Sequence, residues 1–226
     1  MQGRLIVFEG VEGSGKTSQI QQLQKWLCDS KVIQQLQIQG IVSQVIATRE
    51  PGGTALGQKL RHLLLHPSEE AMQDRTELLL YAADRAQHVA GFLKPQLDQG
   101  GIVLCDRFTD STVAYQGYGR NLDRALIDQL NQIATNGLQS DLTLWLDVDV
   151  EIGLGRAQRR GASDRMEQAT LTFHRRVQQG FIELAQTFPD RIVRVDASLS
   201  PEEVASAVQA VVAGRLREWY GVEDRG

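Results

Sequence analysis

Apolar residues along the chain fall into short continuous runs separated by longer stretches of helical periodicity. Leu5-Ile-Val-Phe8 opens the series as a β-prone run, and a helix-like stretch follows from Thr17 to about Gln37. Val42 to Thr48 reads as a second strand, closed by the breaker Pro51-Gly52-Gly53. Helical patterns then cover Ala55 to Leu65 and Arg75 to Phe92, the latter with Leu78, Tyr81, Ala82 and Arg85 at helical spacing. Ile102-Val-Leu-Cys105 follows the Gly100-Gly101 turn as a third strand, and Leu142 to Val148 and Ile192 to Val195 supply two more. The last helix has a full start signal: Ser200 as cap, Pro201 in the first turn and Glu203 closing a capping box.

Short apolar strands alternating with helices predict a parallel sheet covered on both faces. Five of them predict one three-layer α/β domain over residues 1–226, with no linker, repeat or compositional break to divide it. In that architecture ligands collect at the carboxyl ends of the strands. The residues standing there are the ones to read for chemistry.

Composition narrows the classes. The 226 residues, 42% hydrophobic and 23% charged, are enough for a proper core and exclude disordered, collagenous and disulfide-scaffold chains. The longest apolar runs are far too short for a membrane span, and no charged start with an apolar stretch marks export. Cys28 and Cys105 have no metal or redox spacing and read as free thiols of a reducing cytoplasm. The four histidines, His62, His66, His88 and His174, share no ligand spacing and read as structural or solvated. A net charge of −4 argues against a broad nucleic-acid surface. Within it, 19 of the 24 basic residues are arginines. Genomic base composition can explain that bias, but arginine also suits bidentate phosphate contacts.

After the first strand stands Gly10-Val11-Glu12-Gly13-Ser14-Gly15-Lys16-Thr17, followed by Ser18. This is a complete phosphate-loop pattern in its required strand-to-helix context. Its glycines let successive N–H groups curl toward phosphate oxygens, and the following helix adds the positive end of its dipole. Lys16 can reach the β/γ-phosphates of a nucleoside triphosphate and the Thr17 hydroxyl can hold Mg²⁺. The second strand ends in Thr48-Arg49-Glu50-Pro51-Gly52-Gly53-Thr54, whose Glu-Pro bond is a candidate cis peptide. The third ends in Asp106-Arg107-Phe108, where Asp106 is placed to act on Mg²⁺ or its water shell and Arg107 to hold a second phosphate. Beyond the fourth, Arg156, Arg159, Arg160 and Arg165 crowd around a glycine; the run reads either as a solvated helix end or as an arginine-bearing lid at about 153–168. No guanine-reading N/T-K-x-D segment occurs, which excludes a GTP switch. What remains is a small-molecule phosphotransferase with two anionic sites.

The set of Gly10–Thr17, Thr48–Thr54, Asp106-Arg107-Phe108 and Ser111-Thr-Val-Ala-Tyr115-Gln116-Gly117 resembles the thymidylate kinase family, bacterial type, within the P-loop nucleoside monophosphate kinases. The resemblance runs from about residue 3 to 215. It implies transfer of the γ-phosphoryl group of ATP to dTMP with Mg²⁺, and a homodimer. It implies that Tyr81 stacks on thymine, Arg85 bonds its exocyclic oxygen and Arg107 grips the dTMP phosphate. Glu50 and Pro51 would shape the acceptor cleft, while Ser111, Thr112, Tyr115 and Gln116 line base and sugar, with Tyr115 crowding the 2′ position. Lys16, Arg107 and the lid's Arg160 form the expected cationic machinery. Glu12 would orient a cation or bond the acceptor, and Thr17, Asp106 and Glu167 are the expected metal-side residues. Two readings stay open beside this one: a kinase for another nucleoside monophosphate, and an ATP-binding module without transfer chemistry. The glutamine-rich stretch Lys31 to Gln39 reads as a surface extension.

Overall fold

The computed structural model describes residues 3–66, 70–159, 161 and 164–222. Its sheet has five parallel strands, β1 (Arg4–Glu9), β2 (Val45–Arg49), β3 (Ile102–Asp106), β4 (Leu142–Asp147) and β5 (Ile192–Asp196), in the order β2-β3-β1-β4-β5. The helices are α1 (Lys16–Asp29), α2 (Lys31–Ile38), α3 (Ala55–Leu65), α4 (Asp74–His88), α5 (Lys94–Asp98), α6 (Thr109–Thr112), α7 (Arg124–Thr135), α8 (Val150–Gln158), α9 (Leu171–Thr187) and α10 (Pro201–Tyr220). The expected doubly covered parallel sheet is therefore present.

Both sheet faces are buried, and the strand parity shows how. Ile6 and Phe8 of β1, with Ile102 and Leu104 of β3, join a large core built with α1, α2, α9 and α10. Leu5 and Val7, with Val103 and Cys105, point the other way into a smaller core with Val89, Leu93 and Leu97. With β1 central, the chain passes from β1 to one edge and from β3 across to β4, so the sheet's switch point lies at the ends of β1 and β3. Phe8 and Arg49 both stand in register with Asp106. The phosphate-loop motif, the Thr48–Thr54 turn and the Asp106-Arg107-Phe108 turn thus leave the sheet at one height.

Three expectations about elements change. The long helix from Thr17 to Gln37 is two helices, because Ser30 turns extended and its hydroxyl caps α2 through Ile33 N at 3.5 Å. The stretch Lys31 to Gln39 is therefore not a mere surface extension: α2 buries Ile33 and Leu36 in the main core. β2 begins at Val45 rather than Val42, since Val42 N bonds Leu36 O and closes the turn after α2 instead of joining the ladder. The helix drawn from Arg75 to Phe92 stays regular only to His88, then widens into a π-type turn at Val89–Leu93 and continues as α5. Pro95, which lacks a backbone donor, follows that wide turn. The capping box of Ser200 and Glu203 is formed as expected. Among the described residues no helix is long and apolar enough to cross a membrane.

Because α2 is part of the core, Leu36→Ala should lower unfolding stability by about 2–5 kcal/mol in urea titrations, with turnover unchanged. A loss below about 0.5 kcal/mol would return α2 to the status of a surface appendage.

Candidate active site

The loop after β1 curls into α1 through Gly13 and Gly15, both at positive φ. Gly13 is also pressed against α8, where a β-carbon would overlap the Gly153 carbonyl. Lys16 folds back over this loop, donating to Gly10 O and Val11 O at 3.1 Å each and to Ser14 Oγ at 3.3 Å. Val11 and Ser14 are buried, whereas Gly15, Thr17 and Ser18 are exposed along the open side of the loop. Thr17 Oγ1 donates to Asp106 Oδ2 at 3.1 Å, which joins the loop to the end of β3.

Across the cleft stands Arg107, held in the left-handed region at φ 69. Arg107 N donates to Phe8 O and the Cys105 thiol donates to Arg107 O, so the unusual conformation is fixed from both sides. Its Nη2 donates to Glu12 at 2.5 Å and to Tyr115 Oη at 3.0 Å, and Nη1 to Ser111 Oγ and Gly10 O at 3.1 Å each. Tyr115 Oη donates to Glu12 at 3.0 Å, and its ring lies under the guanidinium. Burial pushes the Glu12 carboxyl up, but the charges of Arg107 and Lys16 outweigh it and bring the pKa down to about 2. Burial and the Arg107 charge lower Lys16 to about 8, against the raising effect of Glu12 and Asp106.

These groups line one cleft of about 360 Å³ that also takes in Glu50, Pro51, Tyr81, Ser111, Thr112 and Gln116. Tyr81 and Arg85 sit one turn apart on α4 and both face it. Arg85 is otherwise heavily engaged. Its Nε donates to Glu50, Nη1 to Thr112 and Asn131, and Nη2 to Phe108 O, which leaves one of its five N–H groups. Glu50 accepts from His88 as well, so it braces the cleft wall from behind, next to the cis Glu50–Pro51 bond. Gln116 is buried and donates to Glu77. Glu167 lies on the cleft wall with Asp164 and Met166.

The lid arginines separate. Arg156 caps Ala197 O, Arg165 reaches Leu64 O and Glu77, and Arg159 is exposed. Arg160 lies outside the described residues. Of the histidines, His88 and His174 are buried, while His62 and His66 are exposed, with their rings tilted against each other.

Sequence reasoning passed over several participants. Arg61 lines the cleft and donates to Pro51 O, and Arg49 faces the same space; no motif spacing marks Arg61. Asp84 accepts from Gly52 N, and burial and the nearby Glu50 raise its pKa to about 6. Glu9 is the most telling omission. It is fully buried and accepts from Phe108 N, Ser111 N and Ser111 Oγ, tying the end of β1 to the segment that carries Arg107. Its signal was present: Glu9 has the same strand parity as Leu5 and Val7, a carboxylate at a core position.

Burial and the neighbouring Asp110 raise Glu9 to about 7, in spite of its three donors and Arg107. A carboxyl raised on folding contributes stability below its unfolded pKa of 4.5, and this contribution disappears as pH rises toward 7. Relative to Glu9→Gln, the unaltered chain should therefore lose on the order of 3 kcal/mol between pH 4.5 and 8 in urea unfolding. Parallel pH curves for the two chains would contradict this.

Comparisons with known proteins agree with one another. The family model described as thymidylate kinase matches residues 8–208. A thymidylate kinase of Cyanothece sp. is 58% identical over 228 residues, covering 97% of each chain. One of Trichodesmium erythraeum is 59% identical over 223 residues, covering 97% of this chain and 99% of its own. The solved thymidylate kinase from Ehrlichia chaffeensis superposes with a TM-score of 0.74 at 33% identity, over 94% of this chain and all of that one.

Proposed function

Because this chain belongs to the thymidylate kinase family and phosphorylates dTMP to dTDP with ATP, we propose that its cleft is a clamp for two phosphate groups. ATP sits on the Gly10–Ser18 loop and the dTMP phosphate faces Arg107. The observation that carries this reading is the position of Glu12, which belongs to the donor loop yet bonds Arg107 and Tyr115 on the acceptor side. Both phosphate sites are thereby held to one charge-balanced frame.

Phosphoryl transfer needs little covalent help from the protein, so positioning and charge stabilisation dominate. Loop N–H groups and Lys16 take the β- and γ-phosphate oxygens. Lys16, lowered to about 8, regains a full charge when phosphate oxygens approach it. Glu12, ionised throughout the neutral range, aims the Arg107 guanidinium, and Tyr115 closes the same corner. Tyr81 stacks on thymine. Ser111, Thr112 and Gln116 line base and sugar, while Arg85 holds Thr112 and Glu50 and offers its remaining N–H to the base. Arg160 is assigned the lid's charge on the transferring group.

Thr17 and Asp106 offer hard oxygen donors in contact with each other, with Glu167 on the same cleft. Magnesium suits such a set, since it takes one or two carboxylates with phosphate oxygens and waters. When bound, Mg²⁺ neutralises charge on the β- and γ-phosphates. Two free cysteines support a cytoplasmic setting. A homodimer is supported by exposed apolar side chains on helices that pack together: Leu56 and Leu63 of α3, Leu79 of α4 and Ile133 of α7.

Lys16→Ala should reduce turnover by about a thousandfold, and near-normal rates would remove the loop from the mechanism. ADP release with dTMP, dUMP, CMP, AMP and GMP as acceptors should show clear preference for dTMP; ATP binding without turnover would favour a non-catalytic module. In sedimentation velocity, Leu79→Glu should convert a dimer into a monomer, whereas a dimer that survives the change overturns the assignment of this face.

A further inference from the structure

Glu77 of α4 is fully buried, carries charge and has no place in the mechanism above. It stands one turn before Tyr81 and two before Arg85, on the stripe of α4 that faces the cleft. Three side chains from two parts of the chain, Gln116 and Arg120 from one and Arg165 from the other, converge on it. Gln116 Nε2 donates to Oε1 at 2.8 Å, Arg120 Nη2 approaches Oε2 at 3.1 Å, and Arg165 Nη2 pairs with Oε2 at 2.5 Å. Arg120 also lies over the Phe173 ring, whose edge meets Tyr115.

Arg165 is held at its other end by the last turn of α3. Its backbone N donates to Leu65 O and its Nε to Leu64 O, carbonyls that a helix terminus leaves without intrahelical partners. It is also locked to its neighbours. Asp164 Oδ1 accepts from both Met166 N and Glu167 N, so residues 164–167 form one rigid turn on the cleft wall. Wherever Arg165 is anchored, Asp164 and Glu167 are anchored too.

We propose that Glu77 is a positioning residue for phosphoryl transfer: its single carboxylate sets both Gln116 at the acceptor wall and the Asp164–Glu167 turn opposite. This rests on the acceptor and metal-side assignments above and deepens them. Two half-buried cations share the one anion, so removing its charge takes the carboxylate partner from Arg165, leaves Arg120 only the more exposed Asp74, and frees the two walls to shift independently. Among the described residues the Gly10–Ser18 loop makes no hydrogen bond or ion pair with Glu77, Arg120 or Arg165 and meets them only at one remove, through Tyr115 and Phe173.

Glu77→Gln keeps the size and one accepting oxygen but removes the charge that holds Arg165. The full-length variant should lose about ten- to a hundredfold in kcat/KM for dTMP, with the KM for ATP within about threefold of the unaltered chain. Should Glu77→Gln fail to fold, Arg165→Gln tests the same link from its half-exposed end and should give the same split. Where both fold, the double variant should be no worse than the poorer single one. Full dTMP kinetics per folded molecule with only a lower Tm, or strictly additive losses, would overturn the proposal. Gln116→Ala is measured beside them. Unchanged dTMP kinetics there would overturn the acceptor assignment and the proposal with it; a raised dTMP KM there with unaffected Glu77→Gln would overturn the proposal alone.

Discussion

Glu12 and Arg107 are both withdrawn from solvent, and neither could be so placed without the other. Their ion pair crosses from the end of β1 to the end of β3, where the sheet changes direction. Around it the remaining groups fall into order. Tyr115 donates to the acid and lies against the base, Ser111 and Gly10 take the other guanidinium nitrogen, and the left-handed backbone of Arg107 becomes tolerable. A buried pair of this kind is weak evidence for stability, because desolvation offsets much of its attraction. Its value here is geometric: it gives a cation a fixed direction at the mouth of a phosphate-binding loop.

The same few residues show how environment divides identical side chains. Glu9 and Glu12 are three positions apart, yet one is raised to about 7 and the other lowered to about 2. Glu9 faces backbone amides, a serine and the acidic Asp110, and burial prevails. Glu12 is partly exposed and has two cations within reach. The protonatable carboxylate therefore sits behind the site as a strut, and the ionised one lies within it.

Much of this was legible in the chain itself. The five strands, the phosphate loop and the Asp106-Arg107-Phe108 turn are carried by local patterns that leave little choice: apolar runs, glycine spacing and a charged pair at a strand end. The misread elements depended on partners distant in sequence. Ser30 could break a helix only because Ile33 and Leu36 had a core to enter, and Val42 left the ladder because Leu36 O took its N–H. Among site residues, motif neighbours such as Lys16, Arg107 and Tyr115 were readable. Arg61 and Glu77 were not, since a single charged residue on a helix gives no sign of facing inward. Arginine abundance also resolved unevenly. Arg107 turned toward the cleft, while Arg85 and Arg165 proved to be largely braces within the protein.

Gly13 and Gly153 meet backbone to backbone, with a β-carbon excluded on either side. A cationic side chain at position 13 would first have to prise α8 away from the loop. The two glycines therefore constrain each other's replacement, and any side chain gained at either position has to be matched by a shift of α8 against the loop.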